Sequence, residues 1–65
     1  MNIKYKIYRE TSVYIDGEET TVLKPSTLFE YEYFDSEELA YEAVVKSGYY
    51  GEFIILKVFI NSFNI

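Results

Sequence analysis

The stretch that most constrains this chain is Glu52 to Phe63, reading Glu-Phe-Ile-Ile-Leu-Lys-Val-Phe-Ile-Asn-Ser-Phe. A pleated strand sends alternate side chains to opposite faces. One face then carries Ile54, Leu56, Val58 and Ile60, and the other Phe53, Ile55, Lys57, Phe59 and Phe63. Both faces are apolar, so both need cover. The rest of the chain offers one short helix, enough for one face at most.

Sixty-five residues make one domain, 1–65. A chain of this length hides only roughly 60% of its unfolded surface, and a single core of this size rarely supplies more than about 3–5 kcal/mol. With no cysteine and no histidine, disulfides and ordinary zinc sites are excluded. Association is the remaining route to extra stability.

Ile3 to Ile15 alternates, with Ile3, Tyr5, Ile7, Val13 and Ile15 on one face and Lys4, Lys6, Tyr8, Glu10, Ser12 and Tyr14 on the other. Asp16-Gly17-Glu18-Glu19 then signals a hairpin. A two-residue loop would set Ile15 opposite Glu18. A four-residue loop sets Ile15 opposite Thr20 and Val13 opposite Val22, and the apolar matching favours this longer loop. The second run, Thr20 to Tyr33, reads as one edge strand bent at Pro25, since proline cannot donate to a ladder. The alternative is two strands with a turn at Lys24-Pro25-Ser26-Thr27.

Asp35, with Glu38 three residues on, has the spacing of a capping box, and Phe34 and Leu39 that of a hydrophobic staple. Glu37 and Glu38 suit the helix start and Lys46 its end, and Gly48 supplies the left-handed stop. Leu39, Ala40, Ala43, Val44 and Ser47 form the inward stripe, with Glu38, Tyr41, Glu42 and Val45 on the far side. Tyr41 and Val45, one turn apart, offer a small contact patch. Tyr49 and Tyr50, set between Gly48 and Gly51, have the composition of a binding loop.

The expected fold class is α+β: a three-stranded antiparallel sheet in β-β-α-β order, spatial order 2-1-3, with the helix on one face. A helix of about 12 residues is roughly 18 Å long, against roughly 40 Å for a strand of that length. The helix would therefore leave half of one face open, along with the opposite face bearing Phe53, Ile55, Phe59 and Phe63. Apolar surface of this kind marks an interface, so a homo-oligomer or a protein partner is expected.

The charge points the same way. From Asp16 to Glu52 ten acids face only Lys24 and Lys46, within a net charge of −5. Such a surface repels nucleic acid and membranes and favours basic partners. Met1–Lys6 leads into alternation rather than an apolar signal segment, and no run is long enough to span a bilayer. The expected location is cytoplasmic.

Without histidine or cysteine there is no ordinary base near neutrality and no thiol nucleophile. No phosphate-binding or nucleophile-elbow motif occurs. No catalytic residue, metal site or cofactor is expected. Three binding roles follow. In the first, Glu30, Glu32, Asp35, Glu37, Glu38 and Glu42 present carboxylates to a host protein, as an inhibitor or nucleic-acid mimic. In the second, an oligomer holds a small ligand among Tyr49, Tyr50, Phe53 and Phe59. The third is a structural subunit.

The run Tyr33-Phe34-Asp35-Ser36-Glu37-Glu38-Leu39-Ala40, followed by a glycine and a Phe-Ile-Ile-Leu-Lys-Val strand, resembles the aromatic, acidic-cap, helix and strand layout of small phage-encoded proteins. The resemblance covers about half the chain. It implies an inhibitor of a host polymerase, repair or defence protein, and assigns a role to no particular residue.

Overall fold

The computed structural model describes residues 2–61. The sheet is three-stranded and antiparallel, built from β1 (Asn2–Ile15), β2 (Glu18–Pro25) and β3 (Ile54–Ile60) in spatial order β2-β1-β3. One helix, α1 (Glu37–Ser47), packs on it. The architecture is the α+β arrangement that the run lengths imply, and Phe63 lies outside the described residues.

β1 serves both neighbours with different halves. Its second half pairs β2 from Tyr8↔Pro25 to Ile15↔Glu18. Its first half pairs β3 from Asn2↔Ile60 to Tyr8↔Ile54. The hairpin closes in two residues and not the expected four, with Asp16 at φ 53° and Gly17 at φ 81°. Two consecutive left-handed residues make the tight turn whose twist matches its strands. That backbone preference overrides side-chain matching and leaves Ile15 half-exposed opposite Glu18.

The bent strand to Tyr33 is not formed. β2 stops at Pro25, and Thr27–Phe29 make one 3-10 turn, with Phe29 N–H donating to the Ser26 carbonyl at 3.0 Å. The chain then returns to the same edge of β1, where Phe34 exchanges two backbone hydrogen bonds with Tyr5, 2.8 and 2.9 Å. This detour puts Phe29 into the core, edge-on to Phe34 with ring centroids 6.2 Å apart.

The helix begins one residue later than expected. Ser36, not Asp35, is the cap: its Oγ accepts from Leu39 N–H at 3.1 Å. The Asp35 carboxylate is engaged instead by the Lys4 ammonium. Gly48, at φ 74°, ends the helix with its N–H on the Val45 carbonyl at 3.2 Å. The inward stripe is narrower than expected. Ala40 and Val44 are buried and Ala43 is partly so, while Leu39 is half-exposed beside Phe34.

The helix lies on Ile7, Tyr5, Phe53 and Ile55, which corrects the expectation that Phe53 and Ile55 sit on the open face. The register sets Ile7 opposite Ile55 and Tyr5 opposite Lys57. Residues directly opposite share a face, so covering the apolar side of β1 covers Phe53 and Ile55 as well. The face that the helix does not cover is that of Ile54, Leu56, Val58 and Ile60, continued by Tyr8 and Leu23.

The core is small. Among the described residues only Ile7, Phe29, Ala40 and Val44 are buried hydrophobics. The radius of gyration is 13.9 Å, against about 11 Å for a compact chain of this length. The accessible surface is 5270 Å² for 7.7 kDa, roughly 900 Å² more than a monomer of that mass exposes. The molecule is a slab only 15 Å thick.

Candidate functional site

A loop that local sequence reasoning reads as strand is held from beneath by a buried lysine. Glu30, Tyr31, Glu32 and Tyr33 follow the 3-10 turn and are all exposed. Beneath them lies Lys6, only 4% exposed. Its ammonium donates to the Glu30 carbonyl at 2.6 Å and the Glu32 carbonyl at 3.3 Å, and sits 4.2 Å from the centre of the Tyr33 ring. A buried cation must find compensating acceptors or neutralise. Here two backbone dipoles and an aromatic face serve that purpose, so the cation pins the loop from within.

The pinning has a consequence for the surface. Tyr31 is 87% exposed and is flanked in the chain by the exposed Glu30 and Glu32. Lys6 alternates with Ile7 along β1, so it projects to the face opposite α1. The loop therefore carries Glu30 and Glu32 around the sheet edge, away from the helix. Its signal in the sequence was Lys6 itself, a lysine on a face shared with Lys4, Tyr8 and, through the register, Leu56.

The acids of the helix are placed differently. Glu37 and Glu38 line a groove with Ser36, Tyr41 and Ile55, on the flank of α1 that overhangs β3. Glu42 pairs with Lys46 one turn on, 2.7 Å apart. Their hydrogen bond, reinforced by charge attraction, lowers the Glu42 pKa below 4.5 and raises that of Lys46 above 10.5. Of the six acids singled out in the sequence, Asp35 and Glu42 are thus engaged by lysines. Glu30, Glu32, Glu37 and Glu38 have no ion-pair partner among the described residues.

Within one chain the aromatics expected to hold a ligand in an oligomer do not come together. Tyr49 and Phe53 pack against the core, and the Tyr49 hydroxyl donates to the Glu52 carbonyl at 3.3 Å. Tyr50 is 99% exposed. Phe59 is exposed at the far end of β3, six residues and roughly 20 Å from Phe53. Tyr41 approaches Phe53, with centroids 6.0 Å apart, and Val45 is exposed one turn further along the helix.

Among the described residues no group of acidic side chains is placed to share a metal ion, and no helix is long and apolar enough to cross a membrane. Compared with protein-family models, with curated proteins and with solved structures, the chain matches none.

Proposed function

We propose that this chain is a non-enzymatic binding protein that docks on a basic surface of another protein and inhibits by occupying it. The observation that carries this reading is the pinned loop. Tyr31 and the flanking Glu30 and Glu32 are exposed to solvent while the backbone beneath them is fixed by Lys6. A pre-organised loop loses little entropy on binding. Tyrosine supplies a large amphipathic contact, and flanking carboxylates select for arginine and lysine across the interface.

Glu30, Glu32, Glu37 and Glu38, none of which has an ion-pair partner among the described residues, further support docking on a basic partner.

The test is affinity capture from cells in which the protein occurs, comparing the wild-type chain with Glu30→Lys/Glu32→Lys and with Tyr31→Ala. The expected result is one stoichiometric protein retained by the wild type. Both variants should lose it, and retention should fall steeply between about 50 and 300 mM salt. Equal retention by all three chains at both salt concentrations would eliminate the reading.

A further inference from the structure

The two outer edges of the sheet are treated differently by the sequence. β2 carries Glu18, Glu19, Lys24 and Pro25, the charges and proline with which edges are guarded against pairing. β3 reads Ile-Ile-Leu-Lys-Val-Phe-Ile, with one charge and no proline. Among the described residues no strand lies outside it.

The parity of the ladder shows which backbone groups β3 turns outward. Tyr5 spends its N–H and C=O on Phe34, and the Ile7 carbonyl accepts from Ser26 N–H at 3.0 Å, both on the side of β1 away from β3. In an antiparallel ladder a residue bonded to one neighbour does not bond the other. Tyr5↔Lys57 and Ile7↔Ile55 are therefore non-hydrogen-bonded pairs. Ile55, Lys57 and, by alternation, Phe59 direct their N–H and C=O groups away from the sheet.

We propose that a second copy of this chain occupies that edge, β3 against β3 about a two-fold axis centred on Leu56, giving one six-stranded antiparallel sheet. An antiparallel strand pair is self-complementary, as a two-fold interface requires. The register follows from charge and side-chain matching. An axis at Lys57 would set two ammonium groups face to face, which is unfavourable. An axis at Val58 would set Lys57 opposite Phe59 and run the pairing past Ile60 onto Asn61. An axis at Leu56 pairs Ile54 with Val58, Phe53 with Phe59, and Lys57 with Ile55 of the other copy.

That last pairing is the decisive one. Ile55 lines the groove that also contains Glu37 and Glu38, neither of which has a cation among the described residues. Lys57 likewise has no ion-pair partner among the described residues. Of the three registers, the Leu56-centred one brings each Lys57 to the other copy's acidic groove, twice by symmetry. It also brings the overhanging Tyr41 flanks of the two helices toward each other. The surface excess of roughly 900 Å² is close to the roughly 800 Å² that each partner contributes to a standard interface.

The chain contains no cysteine, so single-cysteine variants report the register directly. Leu56→Cys should oxidise to a disulfide-linked dimer, because opposed non-hydrogen-bonded residues have close side chains. Val58→Cys should not, its copies standing about 13 Å apart in this register. Lys57→Pro removes an outward N–H without touching the β1 ladder, so it should give a monomer with an unchanged circular dichroism spectrum. Lys57→Glu should weaken dimerisation at least tenfold, and adding Glu37→Lys/Glu38→Lys should restore it. A wild-type chain that sediments as a monomer at 100 µM, or cross-linking of Val58→Cys as fast as Leu56→Cys, overturns the proposal. The docking reading uses Glu30, Tyr31 and Glu32 on the loop, so either result leaves that reading to its own capture experiment.

Discussion

Replacing Lys6 by methionine keeps most of the stem's volume and deletes the ammonium, which isolates the effect of the pinning cation. Two opposing terms set the outcome. The variant loses a short charge-assisted hydrogen bond to the Glu30 carbonyl, a longer one to Glu32 and the approach to the Tyr33 ring. A hydrogen bond to a charged group contributes about 1.5–3 kcal/mol, and a desolvated cation over a ring about 0.5–2 kcal/mol. Against this, methionine avoids burying a charge, a cost of several kcal/mol in the intact protein. The freed carbonyls belong to exposed residues and can regain water, which softens the loss. The expected net destabilisation is about 1–2 kcal/mol. With an unfolding entropy of about 0.14 kcal/mol/K for 65 residues, the melting temperature should fall by roughly 7–15 °C. Thermal unfolding followed by circular dichroism measures this. Amide exchange of residues 30–33 should quicken more than that of β1, and capture of the docking partner should weaken even where the fold persists. A Lys6→Met chain as stable as the wild type, with unaltered loop exchange, would show that the cation does not hold the loop.

Two further perturbations separate neighbouring roles. Ser36→Ala removes the helix cap and should cost about 1 kcal/mol, whereas Asp35→Ala removes an exposed ion pair with Lys4 and should cost no more than a few tenths; comparable losses in urea titrations would contradict the cap assignment. The Glu42 carboxyl has a lowered pKa, so its contribution to stability is present above pH 4.5 and is lost as the pH falls through the lowered value. The Lys46 contribution is present below pH 10.5 and lost as the pH rises through the raised value. Carbon-detected NMR titration should place the Glu42 midpoint below 4.5 at low salt and move it back toward 4.5 in Lys46→Gln or in 1 M salt. An unmoved midpoint in either condition would contradict the pairing.

Four features show how far local patterning in the sequence reaches. The capping spacing located the helix to within one residue, although Ser36 and Asp35 compete for the same role and Lys4 decides between them. Asp16-Gly17 signalled the hairpin, and its backbone preference set the register more strongly than the apolar matches did. The loop at Glu30–Tyr33 alternates like a strand, and its true conformation depends on a lysine 24 residues earlier. The assignment of Phe53 and Ile55 to the open face failed because both faces of β3 are apolar, so periodicity alone carries no preference.

What the sequence by itself determined were the interactions that act over a few residues: three extended runs, one capped and glycine-stopped helix, a hairpin at Asp16-Gly17, and more apolar strand surface than one helix can shield. The tertiary structure alone decided which face of β3 the helix covers, which backbone groups its edge leaves free, and that Lys6 is buried beneath an acidic loop. Those outcomes depend on the pairing parity between β1 and segments up to 58 residues away, from Asn2 to Ile60. A shift of one residue there exchanges every inward side chain for its outward neighbour, and nothing local in the chain specifies that choice.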